Sequence, residues 1–179
     1  MNKKIVFICC LLVAASFSIS SCYNLKNAPF SDATGMQEFT VITETTAAVI
    51  PIVDATQFSR ITSEELKSIL GEPESVDEWT YEGYPTITYT YNSDNDEFMI
   101  IDDAVVRFTH YGKTVYNSNS EIFTLFGIMP SKEIVKAADT GTALRYHNVS
   151  DKIADVWILD IEDKTFDIIK ITYNLNYFS

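Results

Sequence analysis

Between residues 86 and 91 the chain alternates strictly, with Ile87, Tyr89 and Tyr91 on one side and Thr86, Thr88 and Thr90 on the other. That period of two predicts a half-buried antiparallel strand. A shorter strand is expected at residues 79–81, before a Gly83/Pro85 turn. Residues 92–96 form a polar turn, and residues 98–101 and 104–108 form a hairpin across Asp102 and Asp103. Ahead of the strands the period changes. Leu66, Ile69 and Leu70 recur at helical spacing, Thr62 and Glu65 form a capping box, and Gly71 and Pro73 close the helix.

The same order is read again further on. Glu121, Leu125 and Gly127 stand where the first segment has Glu65, Ile69 and Gly71, and Pro130 answers to Pro73 with a slip of one. Strands are expected at residues 143–146, 155–161 and 166–173, with a turn at 162–164 and an extra helix over 131–138. A helix followed by a meander thus occurs twice. The fold expected is α+β: a tandem repeat of helix plus antiparallel β-meander, with the helices on one face of the sheet. The boundaries are 1–21 for a signal peptide, 22–58 for a flexible tether, and 59–116 and 117–179 for the two repeats. Residues 39–53 hold enough apolar positions for an edge strand around Pro51, and that alternative stays open.

The first residues set an address. Lys3 and Lys4 precede an apolar run over 5–15, which is followed by small and polar residues up to Cys22. Charge, apolar segment and small residues in that order read as a secretory signal. The run is too short to cross a bilayer of roughly 30 Å, which needs about 20 helical residues. Ile19-Ser20-Ser21-Cys22 resembles the lipobox of bacterial lipoproteins. The resemblance implies cleavage before Cys22 and lipid on its thiol and amine, an anchor of more than one acyl chain. Tyr23 stands where an aspartate is associated with inner-membrane retention, so the outer membrane, facing the periplasm, is expected.

Cleavage changes the composition. Cys9 and Cys10 leave with the signal and Cys22 is blocked, so no disulfide is expected and the core must hold the fold. Removing Lys3 and Lys4 from 13 basic residues leaves 11 against 25 acidic ones, a net charge near −14. Such a charge repels phosphate backbones, so nucleic acid is not expected as a partner.

Thr62, Leu66, Ile69, Leu70, Gly71 and Pro73, followed by Trp79-Thr80-Tyr81, resemble the motif of the SmpA/OmlA (BamE-like) lipoproteins. Ile61 stands where that family usually has glycine. Two such units in tandem are similar to the β-lactamase-inhibitor-protein family. The resemblance implies a small sheet that acts through protein contacts.

Candidate chemistry adds little. Asn92, Asp94 and Asp96 carry oxygens at alternate positions, as calcium loops do, but Glu97 occupies the place of the turning glycine, so a solvated hairpin turn is expected. Asp160, Glu162, Asp163 and Asp167 read as an exposed acidic turn. His110 and His147 lack zinc spacing and are expected at strand ends or in loops. No metal, cofactor or catalytic residue is expected. Trp79, Tyr81, Tyr89, Tyr91 and Trp157 all fall on predicted strands. Most are expected to cover the core, and the alternative is an open binding face, where Trp and Tyr serve as anchors.

Three functions follow. The leading one is a non-enzymatic, lipid-tethered module binding another envelope protein. The second is an inhibitor-like binder of a secreted hydrolase, and the third an enzyme or carbohydrate-binding protein using the acidic turns. An aromatic open face would favour the first two, and buried carboxylates in a deep pocket the third.

Overall fold

The computed structural model describes residues 49–178. The signal segment, Cys22 and the first part of the tether lie outside the described residues. Chain order runs through a 3-10 turn at Ala55–Phe58, α1 (Ser63–Leu70), β1 (Ser75–Tyr81), β2 (Tyr84–Tyr91), β3 (Asp96–Ile101) and β4 (Ala104–Val115). It continues through α2 (Asn119–Leu125), β5 (Val135–Asp139), β6 (Ala143–His147), β7 (Asp155–Leu159), β8 (Thr165–Thr172) and a second 3-10 turn at Leu175–Tyr177.

All eight strands join one antiparallel sheet in the order β1-β2-β3-β4-β8-β7-β6-β5. This corrects the expected α+β tandem repeat. The described residues are mostly β, and among them only two α-helices, of 8 and 7 residues, accompany the sheet. Helices so short are marginal without a surface to pack on. The long strand β4 pairs with β8 from Arg107↔Thr172 to Val115↔Thr165, which spares both strands an open edge. Phe108 and Ile171, opposite one another in that pairing, belong to one apolar cluster with Leu66 of α1 and Ile122 and Phe123 of α2. The core is therefore a single layer between the helices and one sheet face.

Two local expectations are also corrected. The extra helix read over 131–138 is strand β5, whose Val135 and Lys136 pair with His147 and Tyr146. Sheet pairing here overrides a composition that suits a helix. The tether does not run to residue 58, because Ala55 and Phe58 are fully buried. Phe58 packs its ring 4.9 Å from Phe98, and Ile52 and Ala55 donate backbone hydrogen bonds to Leu125 and Phe126 at the end of α2. Gly71 caps α1 with φ 87° and ψ −169°, a conformation outside the left-handed helical region and open to glycine alone. The capping box at Thr62 and Glu65 is present, with both reciprocal hydrogen bonds made.

The opposite sheet face carries neither α-helix. Met99, Ile101 and Val106 make a small second cluster there, packed against Tyr81, Tyr177 and Phe178. A β-bulge between Met99 and Ile100 turns the consecutive residues Val106 and Arg107 toward this same face. Bulges commonly re-aim a side chain in this way.

Candidate functional site

Strand register sets the pattern of the open face. Arg107, Thr172, Asp155 and His147 lie opposite one another across β4, β8, β7 and β6. The next row along the strands is Thr109, Lys170, Trp157 and Arg145. Together with Tyr81, Leu159, Leu175 and Phe178, side chains from these rows enclose a groove of about 310 Å³. That volume is at the small end of ligand sites, which run from roughly 300 to 1,000 Å³.

Asp155 is the floor. Its side chain is 2 % exposed, and Arg145 donates from Nε to both of its oxygens at 3.0 and 3.3 Å. His147 Nδ1 lies 2.7 Å from the same carboxylate, yet the angle does not make a hydrogen bond and that nitrogen has no other partner among the described residues. The Arg145 guanidinium also lies over Trp157, 4.3 Å from the ring centre.

Arg107 forms the opposite wall. Its Nε donates to Thr172 Oγ1 at 3.2 Å, and its guanidinium stacks 3.6 Å from the centre of the Phe178 ring. Both stackings are cation–π contacts, which gain strength where water is partly excluded. Burial pulls the Arg107 guanidinium below its ordinary pKa; Tyr81, Asp155 and Glu97 oppose that pull, while Arg145 adds repulsion. The group stays charged, as arginine does in proteins.

Of the five aromatic residues picked from the sequence, the structure brings two into the groove, Tyr81 and Trp157. Trp79 sits on the edge strand β1, half-exposed, with Nε1 donating to Thr88 Oγ1 at 3.0 Å. Tyr89 and Tyr91 follow the core expectation, and the binding-face alternative is corrected for both: they are buried on the helix side, and Tyr91 donates from its hydroxyl to the Gly71 carbonyl at 3.2 Å. Their alternation with Thr86, Thr88 and Thr90 put them on that side, since the apolar set of a strand faces the larger core. His110 is also corrected. It lies within β4, buried, its Nδ1 2.6 Å from Asp96 Oδ1.

Arg107, Arg145, Asp155 and Lys170 were not singled out in the sequence. A signal existed: Arg107 interrupts Val105-Val106 and Phe108, and Arg145 stands between Leu144 and Tyr146. A lone arginine in an apolar strand marks a face that is wet or holds a counter-charge. The acidic turn of Asp160, Glu162, Asp163 and Asp167 is exposed. Asp96 of the possible calcium loop is engaged by His110, and Asp103 in the hairpin turn accepts from the Ser63 amide and hydroxyl.

No family model and no curated protein matches the chain. Among solved structures it is similar to an extracellular protein containing a SCP domain from Bacillus anthracis str. Ames, at 13 % identity and a TM-score of 0.38 over 79 % of this chain and 52 % of that one. The chain thus spans about half the length of that protein. It is also similar to YjgB, a DUF4309 family protein from Bacillus subtilis subsp. subtilis str. 168, at 13 % identity and a TM-score of 0.31 over 63 % of this chain and 78 % of that one. At these values neither likeness assigns a fold or a role, and neither bears on the SmpA/OmlA resemblance.

Proposed function

We propose that the chain is an exported protein, anchored by lipid on Cys22 to the outer membrane and facing the periplasm, whose folded part is a non-enzymatic module binding another envelope protein. The observation that carries the reading is the groove. Trp157, Tyr81 and two arginines converge on the sheet face that neither α-helix covers. Tryptophan, tyrosine and arginine are the side chains that most often dominate binding energy at protein interfaces. The groove's guanidinium groups neither give nor take protons near neutral pH, which suits holding a partner rather than acid–base chemistry. The lipobox-like Ile19-Ser20-Ser21-Cys22 supports the anchor.

Site-specific photo-crosslinking in intact cells tests the reading. A photoreactive residue in place of Leu159, in the groove wall, is expected to form a discrete protein adduct. The same residue in place of Glu64, exposed on α1, is expected to form none. No adduct from position 159, or equal adducts from both, overturns the assignment of the binding face.

A further inference from the structure

The groove carries more positive charge than its own carboxylate balances. Arg107, Arg145 and Lys170 line it against Asp155 alone, in a chain whose net charge is −12. Arg145 is neutralised by Asp155. Arg107 and Lys170 have no carboxylate within ion-pair distance among the described residues. Glu97 attracts Arg107 from further along the face without pairing with it.

The two arginines are also held ready. Each spends Nε on a neighbour within the fold, and each lays its guanidinium on an aromatic ring. Their Nη nitrogens have no acceptor among the described residues. His147 Nδ1 is the one buried side-chain nitrogen or oxygen there without a partner, so these Nη groups are open to solvent. A guanidinium fixed at Nε and by stacking, with its outer edge free, is a preorganised donor for a pair of planar oxygens.

We infer that the groove takes a carboxylate of the partner protein, presented by an acidic peptide segment with an apolar neighbour. The carboxylate meets the free edges of Arg107 and Arg145, and the neighbour packs on Trp157, Tyr81 and Leu159. A singly charged carboxylate fits better than a phosphate, because Asp155 in the floor repels a dianion about twice as strongly. The assignment rests on the binding-face reading above and supplies its ligand chemistry.

Calorimetric titration of the purified full chain tests it, with acetyl-Ala-Phe-Glu-Phe-Ala-amide as probe, the same peptide with Gln for Glu as control, and 3-phenylpropionate as a free acid. The Glu peptide is expected to bind saturably. The Gln peptide, and the Glu peptide on Arg107→Gln, are expected to bind at least about tenfold more weakly, the ordinary cost of losing a hydrogen bond to a charged group. Equal binding of the two peptides, unchanged binding by Arg107→Gln, or no binding of the Glu peptide overturns the carboxylate assignment. If Arg107→Gln does not fold, Lys170→Gln and a rise in salt supply the second measurement, and affinity must fall with both. If 3-phenylpropionate binds as tightly as the peptide, the site takes a free acid and both the acidic-peptide assignment and the protein-binding reading fall. If adducts from position 159 persist undiminished in Arg107→Gln, the binding face stands and the carboxylate assignment falls.

Discussion

Arg145 and Asp155 hold one another diagonally across β6 and β7: Arg145 lies opposite Trp157 and Asp155 opposite His147, yet Nε reaches both carboxylate oxygens. The arginine side chain is 29 % exposed and the carboxylate 2 %, so the cost of removing the partner falls on Asp155. Arg145→Met should destabilise the fold by about 3 kcal/mol, the scale of a broken buried pair. Adding Asp155→Asn to that variant should restore most of the loss. Urea melts of the four combinations measure the coupling, and a neutral Arg145→Met would show that the pair contributes nothing to stability.

Gly127 follows α2 where the chain meets the segment before the first 3-10 turn. A Cβ there would lie 2.9 Å from Asp54 Cα and 2.8 Å from Asp54 Oδ1, at a φ of +65°. At Gly71 a Cβ would meet nothing within 4 Å, and only the backbone conformation resists substitution. Gly71→Ala should cost about 1–3 kcal/mol of strain. Gly127→Ala should cost more, because Asp54 backbone must move as well. Its signature is faster hydrogen exchange at the Ala55 amide, which bonds the Phe126 carbonyl at 2.9 Å. Unchanged exchange there would show that the close approach is not what makes the position glycine.

Local signals were legible and long-range pairing was not. Thr62 and Glu65 announced a helix start, and the alternation over residues 86–91 announced a strand with one buried face. Nothing in the sequence said that β4 would pair with β8, because no local period encodes which strand lies beside which. That pairing is what makes the chain one sheet rather than two repeated units. The site was half legible for a related reason. Trp157 and Tyr81 were visible as aromatics on strands, but a bulge at Met99/Ile100 turns Arg107 to the open face, and a bulge leaves no trace in an alternation count. Tyr89 and Tyr91 obeyed their alternation, and the core side was theirs.

Tyr173 should make the fold sensitive to alkali. It is fully buried and donates to the Ala55 carbonyl at 2.7 Å. Burial holds its phenol well above the ordinary value, with Asp54 adding to the effect. The raised folded pKa means that this stability is fully present below the unfolded value near pH ~10. It is lost as pH rises beyond that, because the unfolded chain then ionises first. The urea midpoint should therefore fall between about pH 9 and 11, and fall less in Tyr173→Phe. The slope should shrink without vanishing, since burial also raises Tyr91, Tyr111 and Tyr146. An identical slope in the variant would remove Tyr173 as its source.

The anchor is tested away from the folded part. Cys22→Ala should abolish incorporation of a radioactive fatty acid and leave the chain as uncleaved precursor or free of the membrane. The motive is the order of Lys3-Lys4, apolar run and Ile19-Ser20-Ser21-Cys22. Equal label in variant and parent would sink both the lipid and the outer-membrane placement.

The two tryptophans separate an exposed edge from a binding groove. Trp79 is 48 % exposed on β1, held by one hydrogen bond to Thr88 and an edge contact with Tyr81. Trp157 is half-buried among strands with Arg145 over its ring. In single-tryptophan variants, Trp157→Phe should leave an emission that acrylamide quenches readily, and Trp79→Phe a bluer and better shielded one. Trp79→Ala should cost less than about 1 kcal/mol, as surface changes do. Trp157→Ala should cost about 2 kcal/mol, short of the 3–5 kcal/mol of a core tryptophan, because one side of its ring packs on a guanidinium rather than on the core. Partner adducts from position 159 should survive Trp79→Ala and be lost with Trp157→Ala at a temperature where that variant remains folded. If the dependence runs the other way, with Trp79 required and Trp157 not, the partner engages the edge strand β1 and the groove is not its anchor.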